Sequence, residues 1–394
     1  MVLEKLKFSV KELFHRSSSS LGIEITDQQI KMVELKKQSG NPPEISNWSA
    51  ERLPAGTVVD GRIQDMPRVI LTLQGMVAKN GWKRRKVHMV ASGQAVMVRF
   101  LKLPDIPESE LKKVVDFEVK HNIHLPFDEP YYDFCKLNGV HNRKRSLQRF
   151  AKQDNKRKMK SNDLTMKESA ASKEIANAFS LAESDVVDSA LKEQSHCDVM
   201  LVAAPRDLID EYVTVAESSG LVPASVEIKA LSLFRLIELT YSEGVKKPFL
   251  LVDVNESATD ISIFHEGQLK ITRSVSLGFG GGEAKRASEA VEDLLLLFPD
   301  RIEDDFHTSC NDLSHELERL INFYRYTLNN RDHEFHLIML SGDAPKLSDI
   351  SDHLEQRLGM QVNMLDYAAW VPEHNLQGET TSYSVPIGLA LRER

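Results

Sequence analysis

Residues 21–53 and 249–277 carry one pattern twice. In the first, LGIEIT, IKMVELKK and ISNWSAERL read as three successive strands, parted by a polar turn and by SGNPPE. In the second, FLLVDVN, ATDISIFH and GQLKITRSVSL repeat the order strand, turn, strand, Glu-Gly turn, strand. Sequence of helical period follows each set: IQDMPRVILTLQGMVAKNG after the first, EAKRASEAVEDLLLLF and LSHELERLINFYRYTLNN after the second. Two copies of one α/β unit predict two lobes facing across a cleft, each offering one acidic turn, Glu24 and Asp253. Opposed hairpin turns of this kind can hold a nucleotide and a hydrated magnesium ion, with carboxylates on the metal's waters and backbone N–H groups on the phosphates.

With 394 residues, 41% of them hydrophobic, the chain can bury two such lobes and has the length of two or three domains. A formal net charge of -8 argues against nucleic acid as the main partner, since phosphate backbones select basic surfaces. Cys135, Cys197 and Cys310 are odd in number and far apart, which implies neither a disulfide framework nor a zinc site and fits a reducing cytosol. His121 and His124 are spaced for one helix face, but no third ligand stands near them, so no metal site is expected. No apolar run has the length of a membrane span. H-E-x-x-H, G-x-S-x-G and Walker-type motifs are all missing, so no catalytic residue is assigned.

Three stretches together resemble the actin-like ATPase superfamily, and within it the type IV pilus assembly proteins of the PilM family, relatives of the cell-division protein FtsA. They are LGIEITDQQIKMVEL, with Lys31 near the start of its second strand; FLKLPDIPESELKKVVDFEVKHNIHLPFDEPYYDF; and the run from HCDVMLVAAP through Gly220, Leu221 and Asp253. The resemblance implies an α/β, actin-like (ribonuclease H-like) two-lobed fold with an inserted subdomain in the first lobe. Its boundaries would be an amphipathic helix and serine hinge over 1–20; a first lobe over 21–95 plus 226–243; an insertion over 96–225 with a charged, disordered loop at 138–194; a second lobe over 244–283 plus 330–394; and a helical subdomain over 284–329.

The resemblance also assigns a nucleotide site, and the chain departs from it in three loops. The family's Asp-x-Gly is Glu24-Ile25-Thr26 here, followed by Asp27, which would add a like charge beside a phosphate. Glycine serves such a turn through positive φ and close backbone approach, and a β-branched threonine opposes both. In the second turn, Asp253 and Thr259 keep their places, and Asn255 replaces a glycine as the side chain most tolerant of the left-handed region. In LIMLSGDAPKLSDISDHLEQRL, Gly342 is kept, and Asp343 stands where a second glycine would pass under adenosine. An aspartate there can cap the helix that follows, whose first turn should hold Pro345. Glu24, Thr26, Lys31, Asp253, Asn255, Thr259, Gly342 and Asp343 would contact ATP and magnesium only if nucleotide is bound; the substitutions favour no cofactor.

Function follows from the same resemblance: a cytoplasmic scaffold, peripheral to the cytoplasmic membrane, that holds the N-terminal peptide of a single-span membrane protein similar to PilN and couples it to assembly ATPases. The peptide's contacts would be Leu111, Val115, Phe117 and Glu118 on ESELKKVVDFEVKHN, though the first three equally suit a core. An ATP-driven switch and an FtsA-like membrane anchor are the alternatives. Leu3, Leu6, Val10, Leu13 and Phe14 share one helical face near Lys5, Lys7 and Lys11, and residues 141–160 are densely basic. Either segment fits a solvated or docked element, or contact with an anionic membrane.

Overall fold

Strands β1 (Ser18–Ile25), β2 (Gln29–Lys37) and β3 (Glu44–Arg52) pair antiparallel in chain order, as their alternation predicts. The computed structural model describes residues 18–37, 43–91, 95–137, 196–241, 246–280, 299–367 and 381–392. The N-terminal segment 1–17, the charged loop 138–194 and residues 284–298 of the helical subdomain lie outside the described residues. Ser18–Ser20 belong to β1, opposite Leu35–Lys37, rather than to a hinge. Pairing satisfies backbone groups that a hinge would leave to water.

A short hairpin, β4 (Val58–Val59) and β5 (Arg62–Ile63), leads to helix α1 (Met66–Asn80). Asp65 caps α1 by accepting a hydrogen bond from Arg68 N at 3.0 Å, and left-handed Gly81 ends it. Val69, Leu73 and Met76, one helical stripe, pack under the first sheet. Strand β6 (Lys86–Val90) then runs parallel to β1.

The inserted unit comprises residues 99–126 and 132–202. Strands β7 (Met97–Pro104), β8 (Pro130–Lys136) and β9 (His196–Pro205) form a sheet in the order β7-β9-β8, with α2 (Glu108–His121) supplying its core. Leu111 and Val115 are fully buried there with Leu103, Val119, Val199 and Leu201. Strands β8 and β9 are neighbours although the whole charged loop separates them in sequence.

Residues 203–225, read from sequence as insertion, instead complete the first lobe. Helix α3 (Arg206–Ser218) adds Leu208, Tyr212 and Val215 to its core, and β10 (Val222–Glu227) lies parallel to β6. The first sheet is therefore β10-β6-β1-β2-β3. Helix α4 (Lys229–Thr240) follows at once.

The second sheet repeats this plan strand for strand. Its meander is β11 (Phe249–Val254), β12 (Thr259–His265) and β13 (Gln268–Val275), with β14 (Leu337–Gly342) parallel to β11 and β15 (Gln361–Met364) parallel to β14. The order is β13-β12-β11-β14-β15. Helix α5 (Pro299–Asn322), continued by a π-helical turn over Phe323–Thr327, buries Cys310, Leu313 and Leu317 in this lobe's core, so its described part is not a separate subdomain. Helix α6 (Leu347–Leu358) covers the same core through Ile350 and Leu354. It starts after Pro345, at a left-handed Lys346.

Helix α7 (Ser384–Ala390), assigned from sequence to the second lobe, packs against β1 and α4 of the first. The cause is local. A Cβ at Gly22 would stand 2.0 Å from Pro386 O, so only glycine in β1 lets this apolar helix seat against the sheet.

Candidate functional site

The two meanders place their acids at equivalent positions. Glu24 is second from last in β1 and faces Lys31 across the strand pair; Asp253 is second from last in β11 and faces Asp260. Opposite charges therefore meet in one hairpin and like charges in the other, an arrangement that is destabilising unless a cation enters. Lys229, the first residue of α4, is that cation. Its Nζ lies 3.0 Å from Asp260 Oδ2, 3.2 Å from Asp253 Oδ2 and 3.3 Å from Glu24 Oε1.

Lys31 closes the other side. Its Nζ lies 2.9 Å from Asp343 Oδ2 and 3.3 Å from Glu24 Oε2, and donates a hydrogen bond of 2.8 Å to Ser382 O. Gln29 Nε2 donates to the same Asp343 oxygen at 2.8 Å. Glu24, Lys31 and Asp253 are no more than 2% exposed, and Lys229 is 8% exposed. Burial pushes the pKa of both lysines down, but the surrounding carboxylates outweigh it and hold both raised above 10.5. Burial pushes the Asp343 carboxyl up, and the Lys31 ammonium more than reverses this, leaving it lowered. Four acids and two lysines thus join the sheets in one desolvated network.

The turns are closed by their own atoms. Thr26 N donates to Gln29 O at 2.9 Å, and the Thr26 hydroxyl accepts from Gln29 N at 3.2 Å and from Gln28 N at 3.4 Å. Thr26 is not in the left-handed region, so the turn is unstrained, contrary to the expectation that threonine would oppose it. Asp27 accepts from Asp60 N and Gly61 N on the β4–β5 hairpin, at 3.0 and 3.2 Å, and so has its own backbone partners. Asn255 also lacks a positive φ; its Nδ2 donates to Asp253 Oδ2 at 2.8 Å, and its N–H bonds Ala258 O. Thr259 Oγ1 donates to Leu277 O at 2.7 Å.

Gly342 and Asp343 serve the protein itself. Gly342 has φ +122°, and a Cβ there would meet Val254 O at 1.9 Å, so β11 already demands glycine at this place. Asp343 does not cap α6, which has no side-chain cap; its carboxylate turns to Lys31, where a buried ammonium outcompetes exposed helix N–H groups. Beside this network opens a cleft of about 810 Å³, lined in part by Trp48, Arg52, Glu256, Asp343, Lys346 and Tyr383. Arg52 crosses its mouth to Glu256 at 3.0 Å. Among the described residues no group of three or more His, Cys, Asp or Glu is arranged to hold a metal ion.

The family described as "Type IV pilus assembly protein PilM" matches residues 22–177 and 168–289. The chain belongs to the PilM family. A solved "PilM-PilN type IV pilus biogenesis complex" aligns with a TM-score of 0.70 and 19% identity over 95% of this chain and 98% of that one. The ethanolamine utilization protein EutJ from Carboxydothermus hydrogenoformans aligns at 0.48 and 12% identity, over 98% of this chain and 97% of that one. MreB5 of Spiroplasma citri bound to ADP aligns at 0.42 and 10% identity, over 94% and 95%. No curated protein matches. This PilM-family chain has the two lobes expected from its duplicated meanders and the actin-like fold that the resemblance implies.

Of the residues proposed for nucleotide in this PilM-family chain, Glu24, Lys31, Asp253, Asn255 and Asp343 meet in the network, while Thr26, Thr259 and Gly342 shape its loops. Lys229 and Asp260 were missed. The available signal was a lysine opening the largely apolar run KALSLFRLIEL. On α2, Leu111 and Val115 are core residues and offer a partner nothing; Phe117 is 56% exposed beside the His121 ring, and Glu118 accepts from Asn122. No helix among the described residues is long and apolar enough to cross a membrane.

Proposed function

We propose that this protein is a nucleotide-independent scaffold of a type IV pilus or related assembly machine, holding the cytoplasmic peptide of a PilN-like membrane partner at the cytoplasmic face of the membrane. The observation that carries it is Lys229 seated among Glu24, Asp253 and Asp260. Carboxylates that would hold a metal's waters are neutralised by the chain's own ammonium groups, and the N–H groups of Thr26, Gln28, Gln29 and Asn255 are bonded within their own turns. These residues do not fit a magnesium nucleotide. A ligand would have to break several buried ion pairs before gaining any contact.

Family membership and the likeness to a PilM-PilN complex support the partner. Within α2, Phe117 and Glu118 are the contacts we retain, an exposed aromatic anchor flanked by a charge. Coupling to assembly ATPases belongs to the same reading. Two measurements test it. Titration calorimetry with magnesium and ATP should give no micromolar binding. Fluorescence anisotropy with the partner's N-terminal peptide should give saturable binding that Phe117→Ala weakens about tenfold. Micromolar ATP binding, or a peptide indifferent to Phe117, would count against it.

A further inference from the structure

Away from the ion-pair network, the second lobe holds two imidazoles in contact. His265 ends β12, and His333 lies between the π-helical turn and β14; their ring centroids are 4.3 Å apart, edge to face. His265 Nδ1 lies 2.7 Å from the hydroxyl of Tyr324, the second residue of that turn. The Tyr324 side chain is 1% exposed and packs edge to face on Phe335, with centroids 5.4 Å apart. One side of the pair is therefore sealed by the core. Both histidines remain half-buried, within reach of solvent protons.

The charges around the pair do little to welcome a proton. From the β12–β13 turn Glu266 opposes a positive imidazole, and from β13 Lys270 adds to it. Lys246, whose carbonyl accepts from Glu266 N at 3.2 Å, is exposed; so are Arg331, Asp332, Glu334 and His336 on the segment of His333, and Arg325 beside Tyr324 is half-buried. Burial, with the second imidazole, holds His265 below its ordinary 6.5. We propose that His265, His333 and Tyr324 form an acid-sensitive clasp, which at neutral pH pins the π-helical turn to the end of β12 and below about pH 6 lets it go. The turn suits a moving part. Its hydrogen bonds reach five residues back, Leu328 N to Phe323 O at 3.3 Å and Asn330 N to Arg325 O at 3.0 Å, and it holds Phe323, Tyr326 and Leu328 out to solvent rather than in the core. Folding favours the neutral His265 imidazole, so its contribution is whole above 6.5 and is lost as pH falls through the lower folded value. The inference stands apart from the partner and nucleotide readings, because it uses no residue of α2 or of the ion-pair network.

The test is hydrogen exchange of the full chain, read by mass spectrometry at about pH 7.5 and about pH 5.5 and corrected for intrinsic rates. Peptides covering 323–336 should lose protection at the lower pH by about fivefold or more, while those covering β11 and β14 keep theirs. His265→Gln should remove most of this pH response. Tyr324→Phe should lower protection of the turn already at neutral pH, and thermal melts of each variant report its fold. The pH series on the unaltered protein tests the idea even if a variant misfolds. Protection of 323–336 that is the same at both pH values, a loss shared equally by β11 and β14, or a His265→Gln variant with the parent's full response would each overturn it.

Discussion

Lys31 Nζ, from the second strand of one sheet, lies 2.9 Å from Asp343 Oδ2, at the end of the fourth strand of the other. The pair is buried and shares its carboxylate with Gln29. With Lys229, it makes the contact between the sheets a matter of charge balance, and removing either sign leaves the other stranded.

Lys229→Met should therefore destabilise the protein by about 3–5 kcal/mol, because three acids lose their common cation. Adding Glu24→Gln and Asp260→Asn to that variant should recover part of the loss. Urea unfolding of the parent, of Lys229→Met, of Glu24→Gln with Asp260→Asn, and of all three changes together measures the coupling; purely additive effects would refute the network.

The pH dependence has two limbs. Asp343 titrates below its ordinary 3.8 in the folded state, so its contribution is present above that pH and is lost as pH falls through the folded value. Lys31 and Lys229 titrate above 10.5, so theirs is present below 10.5 and is lost as pH climbs through their folded values. Denaturation midpoints across the pH range should show the acid limb weakened in Asp343→Asn, after allowance for its lower plateau.

Much of this was legible in the sequence, and the reason is periodicity. Alternation along LGIEIT and FLLVDV fixes which side chains enter the core, and the repeated spacing places Glu24 and Asp253 at matching turns. Lys229 was hidden because its partners lie on other strands: a lysine opening a largely apolar run hints at burial but names no partner. Asp343 was misread for the converse reason. An aspartate before a helix is a good local cap, and here a distant ammonium won. The chain departs from the family at these loops, and in the structure each substituted side chain has a partner of its own.

Gly342→Ala should cost about 3 kcal/mol or more, since it combines left-handed strain with a clash into Val254 O. Calorimetric melting gives the value, and an unchanged midpoint would mean that β11 and β14 are less closely apposed.

Thiol reactivity reports the cores directly. Cys135 is exposed, whereas Cys197 and Cys310 are buried, and burial pushes the Cys310 thiol up to about 11. Under native conditions one thiol of the three should react promptly with a chromogenic disulfide reagent, and all three after unfolding. Rapid labelling of Cys310 would place it outside the second core.

Because α7 seats on Gly22, the strand made first in the described chain is covered by a helix made among the last. During synthesis β1 must wait, with one flank bare, until residues 384–390 have cleared the ribosome. Maturation of this lobe then waits on the synthesis of residues 384–390, so a truncation within that helix would be felt at β1, more than 350 residues earlier in sequence.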